Sequence, residues 1–323
     1  MKTAGTSPAG WIYPAILNFL IYSFVAGLAV WAWPSYWWVT VLSWPVLAYF
    51  GHTILLAFHE ASHGHLGPPR WVNEMRGINI GIVALVPLSV YRVVHGSHHA
   101  HLGEVKDEEM WPYCDPKVPR WIRVIMVWAE LAIGYIVTPL IFFRAIVVNW
   151  NSISAPMRKR IVREYALILL FWGIALTVMH LQGWWTSFLA CYLIPAILTG
   201  QVQSVRKYTE HLGLLGNTAE TAARTIVPHT VVENAMSTTM LHVNYHSAHH
   251  QQAGLPYYAL PAATNEAQIV QAGGRVYPTF WSAFYEMLPS LFDPRIGSQW
   301  LESPATAPTP RTPDMAEAAS SHV

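Results

Sequence analysis

Long stretches without charged side chains limit, more than any other feature, how this chain can fold. Residues 11–33 and 37–58 contain no Asp, Glu, Lys or Arg, and a short turn at residues 33–36 separates them. A helix needs about 20 apolar residues to cross the roughly 30 Å hydrocarbon core of a bilayer. Two further stretches, residues 164–182 and 184–203, also reach that length. The sequence therefore predicts four transmembrane helices.

The composition favours a membrane protein over a soluble one. Hydrophobic residues make up 53% of the 323 residues and charged residues only 11%, whereas about a quarter of the residues in a soluble domain are charged. The net charge of +1 gives no reason to expect a nucleic-acid partner. We therefore predict an all-α integral membrane protein.

A fifth apolar stretch, residues 121–148, differs from the other four because it contains three charged side chains, Arg123, Glu130 and Arg144. We predict that it lies at the interface or is re-entrant, entering and leaving on one side, with bends at Gly134 and Pro139.

The domain organisation predicted from these stretches is simple. Residues 1–301 form a single membrane domain, in which residues 78–90 are mildly apolar and are expected to lie along the interface. Residues 302–323 are rich in Pro, Ala, Thr and Ser and are predicted to be a disordered tail.

The basic residues predict the orientation of the chain. The two turns that join paired transmembrane stretches, at residues 33–36 and 183, contain neither Lys nor Arg, so all 19 basic residues lie on the opposite side or at its border. An excess of Lys and Arg marks the cytoplasmic side. With four crossings, both termini and the polar segments face the cytoplasm, and a bacterial inner membrane is the expected location.

Three clusters of histidines lie in these cytoplasmic segments. His59 and His63 are four residues apart. The other two clusters have the spacing i, i+3, i+4 and consist of His95, His98 and His99, and of His246, His249 and His250. Histidines at these spacings share one face of a helix, and imidazole suits Fe, Zn, Cu or Ni. Because Cys114 and Cys191 are far apart and belong to no CxxC motif, the predicted metal site uses histidine rather than thiolate.

The first cluster permits another interpretation. Residues 59–63 match HExxH, the zinc metalloprotease motif in which Glu60 would act as general base. A protease would leave the other two clusters without a role. A metal transporter or sensor is a further alternative, but it should carry polar residues along its transmembrane helices, and these are nearly absent from the predicted helices.

The order of the clusters, and their positions after pairs of apolar stretches, resemble the histidine boxes of the membrane fatty acid desaturase superfamily of non-haem di-iron enzymes. The resemblance extends to YRVVHGSHH at residues 91–99, NYHSAHH at 244–250 and LPYYALP at 255–261. His211 stands where many members have an additional iron-binding histidine. The resemblance implies the following metal ligands: His59, His63, His95, His98, His99, His211, His246, His249 and His250.

This resemblance implies that two iron ions activate O2 and that a C=C bond is introduced into a fatty acyl chain within the bilayer. A hydroxylase, ketolase or decarboxylase of the same superfamily, acting on fatty acid, alkane or carotenoid, is the alternative. It is favoured by residues 251–253, Gln-Gln-Ala, where many acyl desaturases have an apolar residue and Phe-Pro. A separate electron donor is expected, of ferredoxin or cytochrome b5 type with a reductase, since the sequence contains no haem, flavin or ferredoxin-like motif.

The remaining histidines are expected to have lesser roles. His65 and His101 are predicted to contact ligands or solvent, and His52 is predicted to be hydrogen-bonded inside the helix bundle. The role of His242 is left open: it is either a ligand or a neighbour of a ligand. The acidic residues predicted to accept hydrogen bonds from ligand imidazoles are Glu60, Glu104, Asp107 and Glu210.

Overall fold

The structure, a computed structural model, describes residues 13–301, so the predicted disordered tail at 302–323 lies outside the described residues. The described chain is almost entirely helical, which confirms the all-α prediction. In chain order its helices are α1 (Tyr13–Ala32), α2 (Trp37–His63), α3 (Arg70–Ala84), α4 (Leu88–Ala100), α5 (Arg120–Val148), α6 (Ala155–Gln182), α7 (Trp185–His211), α8 (Val231–Thr239), α9 (His246–Gln251), α10 (Leu260–Ala263), α11 (Glu266–Gln271) and α12 (Phe280–Met287). Two three-residue strands, β1 (Arg224–Ile226) and β2 (Arg275–Tyr277), pair in parallel.

Within residues 13–301, five helices are long and apolar enough to cross a membrane, namely α1, α2, α5, α6 and α7. The sequence predicted four transmembrane helices and an interfacial or re-entrant position for residues 121–148, the stretch that forms α5. Large apolar side chains on the outside of these helices are exposed, such as Phe24 (72%), Leu169 (72%) and Leu181 (74%). Apolar surface on this scale is typical of contact with lipid, so the chain has the features of a multi-pass membrane protein.

The segment between the first two histidine clusters contains the stretch at residues 78–90, for which an interfacial position is predicted. It forms α3 and α4, which are bent against each other by 93° and have the length and apolar composition of a broken span or a re-entrant loop. Close to the bend, the carbonyl of Ile82 accepts a hydrogen bond of 2.9 Å from the indole of Trp172, which lies in the interior of α6. α3 therefore extends away from the first cluster, and α4 returns with the second.

The path of α5 is bent. Ile133 has non-helical dihedral angles (φ −139°, ψ 42°), directly before Gly134. A Cβ on Gly200 of α7 would lie 2.3 Å from the backbone nitrogen of Tyr135, so the two helices are in close contact there. The hydroxyl of Tyr135 donates to the carbonyl of Val83, at the bend between α3 and α4.

Both ends of α5, in contrast, contact segments close to the histidine clusters. Near its start, Arg123 Nε donates to the carbonyl of Pro294 at 2.7 Å. Just beyond its end, Asn149 Nδ2 donates to Glu108 Oε1 at 2.7 Å, in the loop that follows the second cluster. These contacts favour the re-entrant path for α5, although its length and apolar composition also suit a fifth span.

The polar segments after α4 and α7 form a cap over the ends of α2 and α7. The buried Arg224 of β1 donates to the carbonyls of Thr209 and Leu212, at the end of α7. The neighbouring Thr225 donates to Ser247 Oγ at 2.7 Å, in α9. β1 therefore joins the end of α7 to the helix that carries the third histidine cluster.

Candidate metal centre

The nine histidines implied by the family resemblance come together at the junction of α2, α4, α7 and α9. Their ligand atoms form two groups, and within each group these atoms lie within 4.8 Å of one another. The five-histidine group contains His59, His63, His95, His99 and His249. The four-histidine group contains His98, His211, His246 and His250.

The second and third clusters each contribute to both groups. On α4, His98 belongs to the four-histidine group, while His95 and His99 belong to the five-histidine group. On α9, His249 belongs to the five-histidine group, and the other two histidines of that cluster belong to the four-histidine group. The rings of His99 and His250 have centroids 4.6 Å apart, so the two groups adjoin. Two metal ions bound there would be neighbours.

Hydrogen bonds at Nδ1 orient several of these rings. His95 Nδ1 lies 2.7 Å from Glu109 Oε2, and His98 Nδ1 lies 2.7 Å from Asp107 Oδ2. Because an ionised carboxylate only accepts, each Nδ1 carries the proton, and in the neutral ring Nε2 then presents a lone pair to the centre. Acceptors of this kind commonly orient metal-ligating histidines.

The closest contact between two of the rings fits a shared cation. His211 Nδ1 lies 2.9 Å from the carbonyl of Ala222, and His246 Nδ1 lies 3.2 Å from that of Val243. Carbonyl oxygens can only accept, so in the neutral rings both Nε2 atoms carry lone pairs, yet these two atoms are 2.8 Å apart. Two facing lone pairs repel each other unless they share a positive ion, which makes this pair the strongest indication of a metal site.

The other spacings fit the same interpretation. The Nε2 to Nε2 distances are 3.1 Å for His59 and His249, 3.0 Å for His63 and His95, 3.0 Å for His95 and His99, and 3.1 Å for His246 and His250. Metal–nitrogen bonds of about 2.1 Å separate ligand atoms by about 3.0 Å at right angles and by about 3.4 Å in a tetrahedron. Five donors at right-angled spacing exceed the four of a structural zinc site and suit a metal of higher coordination number.

The charge state of the third cluster also suits metal binding. Burial, followed by the neighbouring histidines, lowers the pKa of His246, His249 and His250 well below the ordinary range. Neutral imidazole is the form that coordinates a metal ion. These three side chains are therefore ready to bind metal at neutral pH.

Glu60 occupies a position that does not suit the protease alternative. Its Oε1 lies 3.3 Å from His59 Nδ1, and its Oε2 lies 3.6 Å from His65 Nδ1. The carboxylate is thus on the outer side of the His59 ring, whereas His59 Nε2 points to the metal position. A general base has to reach a water molecule at the metal, whereas Glu60 contacts the outer nitrogen of His59, a predicted ligand.

Other acidic residues differ in how closely they approach the centre. Asp107 contacts a ligand as predicted, but Glu104 is exposed and contacts His101. Glu210 pairs with Arg206, and its Oε2 lies 3.4 Å from His246 Nε2. Glu109, which contacts His95, was not predicted from the sequence as an acceptor of this kind. Its position two residues after Asp107 is a signal that could have revealed it.

The histidines expected to have lesser roles lie outside both groups. His242 Nδ1 contacts Ser237 Oγ at 2.9 Å, and His52 Nδ1 contacts Gln203 Oε1 at 2.9 Å inside the helix bundle. His101 is partly exposed. The geometry therefore gives no reason to add His242 to the predicted ligands.

Comparison with known proteins agrees with this arrangement. The family model described as Fatty acid desaturase matches residues 35–281, which include all four helices that carry the nine histidines. A search of curated proteins gave no match. Because the family model covers most of the chain, the protein belongs to the fatty acid desaturase family.

Proposed function

We propose that the nine histidines bind two iron ions and that the protein is an O2-dependent fatty acyl desaturase of the membrane. The observation that carries the proposal is the division of the nine imidazoles into two adjoining groups, with the 2.8 Å contact between His211 and His246. Iron bound there would supply the activation of O2 and the oxidation of an unactivated C–H bond. Membership of the family supports a lipid or acyl substrate.

The protein's own residues would determine how such a centre is held. Glu109 and Asp107 keep His95 and His98 in the tautomer that presents Nε2. Most of the nine rings are buried, which limits the access of water to the centre. The all-imidazole donor set is neutral, so it leaves the bound ions with their full positive charge.

The proposed location places the centre at the cytoplasmic surface of a bacterial inner membrane. Four crossings, with α5 re-entrant, bring all four ligand-bearing helices to one side, where the basic residues also lie. A separate donor of ferredoxin or cytochrome b5 type, with its reductase, would deliver the two electrons, because the sequence contains no redox motif of its own.

A hydroxylase, ketolase or decarboxylase is the second candidate, and one observation favours it. Gln251 follows the third cluster directly, and its Nε2 donates to Glu220 Oε1 at 2.7 Å. A polar contact therefore stands where many acyl desaturases have apolar residues. The position of the substrate relative to the metal would decide between removal of a second hydrogen and insertion of oxygen.

Elemental analysis and lipid mass spectrometry test the proposal together. We expect about two iron ions per chain in the detergent-purified protein, and an acyl product about 2 Da lighter than its precursor in lipids from expressing cells. A gain of about 16 Da would identify a hydroxylase, and a terminal alkene one carbon shorter a decarboxylase. A single zinc ion with unchanged lipids would contradict both candidates.

A further inference from the structure

A cavity of about 590 Å³ lies behind α4, away from the metal centre. Val93, Val94 and Ser97 line it from α4, and His101 lines it from directly after that helix. Because successive residues turn by about 100°, Val93 and Ser97 point away from His95, while Val94 lies beside His98 at the edge of the histidine face. The cavity is therefore separate from the predicted metal site, but it shares a wall with it.

The floor of the cavity is apolar and its rim is basic. Ala145, Ile153 and Met157 contribute apolar surface from α5, the loop after it and α6, and Lys106 stands at the rim. Arg158 follows Met157 directly, and its guanidinium lies over the Trp150 ring at 5.7 Å. Neither Lys106 nor Arg158 has an acidic partner among the ion pairs of residues 13–301.

The acidic residue that lines the cavity is already neutralised. Arg144 Nη1 donates to Glu108 Oε2 at 2.7 Å, and Asn149 Nδ2 donates to Glu108 Oε1 at 2.7 Å. Glu104 is exposed and contacts His101. Glu104 does not line the cavity, so among the lining residues the charge without a partner is that of Lys106, which favours an anionic ligand.

The surroundings of the cavity indicate that this ligand also has an apolar part. Val147 (56% exposed) and Val148 (62%) show apolar side chains on the outer surface of α5 directly before the lining residue Asn149. Val162 (56%) is exposed on α6, five residues after the lining residue Met157. Lys106 and Lys159 are exposed on its polar side. The mouth thus lies where lipid-facing surface changes to basic surface, the level at which the head groups of a cytoplasmic leaflet are found.

We propose that this cavity binds the phosphate head group of an anionic phospholipid, whose acyl chains lie along the outer surfaces of α5 and α6. The bound lipid supports α4 from the side opposite to the second histidine cluster. This site does not depend on which reaction the metal centre performs, and it requires only that α5 and α6 border the membrane as proposed.

Native mass spectrometry of the detergent-purified full chain tests the site. Phosphatidylglycerol, phosphatidylcholine and inorganic phosphate are added separately, and the bound fraction is measured at each concentration. We expect phosphatidylglycerol to bind and phosphatidylcholine to bind at least roughly tenfold more weakly. Lys106→Glu and Arg158→Glu should each weaken the binding of phosphatidylglycerol by roughly fivefold or more. Val93→Trp, which fills the cavity, should abolish this binding.

Arg163→Glu is the matched control. Neither Arg158 nor Arg163 lines the cavity, but Arg158 directly follows the lining residue Met157, whereas the exposed Arg163 lies six residues beyond it on α6. An equal effect of Arg163→Glu and Arg158→Glu would show general attraction to a basic surface and would overturn the proposal. Equal binding of the two phospholipids would overturn it as well. Inorganic phosphate that displaces phosphatidylglycerol at similar concentration would identify a site for free phosphate instead. Metal content, measured on every variant, shows that the fold is retained and keeps the result independent of the proposed desaturase activity.

Discussion

Glu109 accepts a hydrogen bond from His95 at 2.7 Å, and its carboxylate is buried in the protein. Burial raises the pKa of Glu109, while the nearby His98 opposes that rise. The contact orients a ligand of the five-histidine group. Two residues earlier, Asp107 makes the equivalent contact with His98, which belongs to the four-histidine group. One short loop thus orients ligands of both groups.

This division predicts different effects for two conservative substitutions. We expect Glu109→Gln to weaken metal binding at the five-histidine group and Asp107→Asn to weaken it at the four-histidine group, each by about 10- to 100-fold, because an amide holds the Nδ1 proton less strongly than a carboxylate. Titration with a chelator, followed by elemental analysis, would show that one of the two bound ions is released at a lower chelator concentration than the other. Equal release of both ions in each variant would contradict the assignment of the two groups.

Substitution of a proposed ligand should differ from substitution of a nearby histidine. We expect His211→Ala to weaken metal binding at the four-histidine group, where three histidines remain, and to abolish lipid oxidation. Membrane insertion should be retained, because His211 is the last residue of α7 and lies outside its apolar part. His242→Ala is the control, because His242 contacts Ser237 and lies outside both groups. Metal analysis and product analysis of the two variants check this. Full activity of His211→Ala would exclude it as a ligand.

Removal of the metal should destabilise the fold. Without a cation, the lone pairs of His211 and His246 face each other at 2.8 Å, and a ligand that binds only the folded state stabilises it by about 4 kcal/mol when its concentration is 1,000 times Kd. We therefore expect a chelator to lower the Tm of the purified protein and added Fe(II) to restore it. A Tm that is unaffected by chelation would indicate that the histidines do not hold a metal.

The contact between α5 and α7 should tolerate no additional side chain at Gly200. A Cβ there would lie 2.3 Å from Tyr135 N and 2.9 Å from Tyr135 Cα, and backbone atoms cannot easily move aside. We expect Gly200→Ala to cost about 1–3 kcal/mol, visible as a lower Tm and a lower yield of folded protein. Gly173→Ala on α6 is the control, because a Cβ there meets nothing within 4 Å. Alanine should be neutral or stabilising at that position.

That the histidines of each cluster share one helix face could be predicted from the sequence, because helical spacing is encoded locally. The sequence could not predict that the adjacent His98 and His99 serve different groups, because that depends on how α4 docks between α2 and α9. Glu109 was missed for a related reason: it lies in an irregular loop, where no periodic pattern indicates the direction of a side chain.

The bends of the chain were predicted only in part. Gly134 was named as a bend and adjoins the break at Ile133, whereas Pro139 lies inside the helical second half of α5. Of these two residues, Gly134 is the one in close contact with α7, where a Cβ would lie 2.5 Å from Ser204 Oγ and 2.9 Å from the carbonyl oxygen of Gly200. The close contact between α5 and α7, which the sequence pattern does not show, therefore lies at the point where α5 breaks.

The re-entrant path of α5 makes a prediction about sidedness. Lys117 and Asn151 flank α5 and are exposed. If α5 enters and leaves on one side, Lys117→Cys and Asn151→Cys should both react with a membrane-impermeant thiol reagent from the cytoplasmic face only. If α5 crosses, the two should react from opposite faces. Gln182→Cys, at the exposed turn between α6 and α7, is the control for the far side. Because the third histidine cluster follows α7, labelling from opposite faces would also separate it from the first two, and a metal centre shared by all three would be impossible.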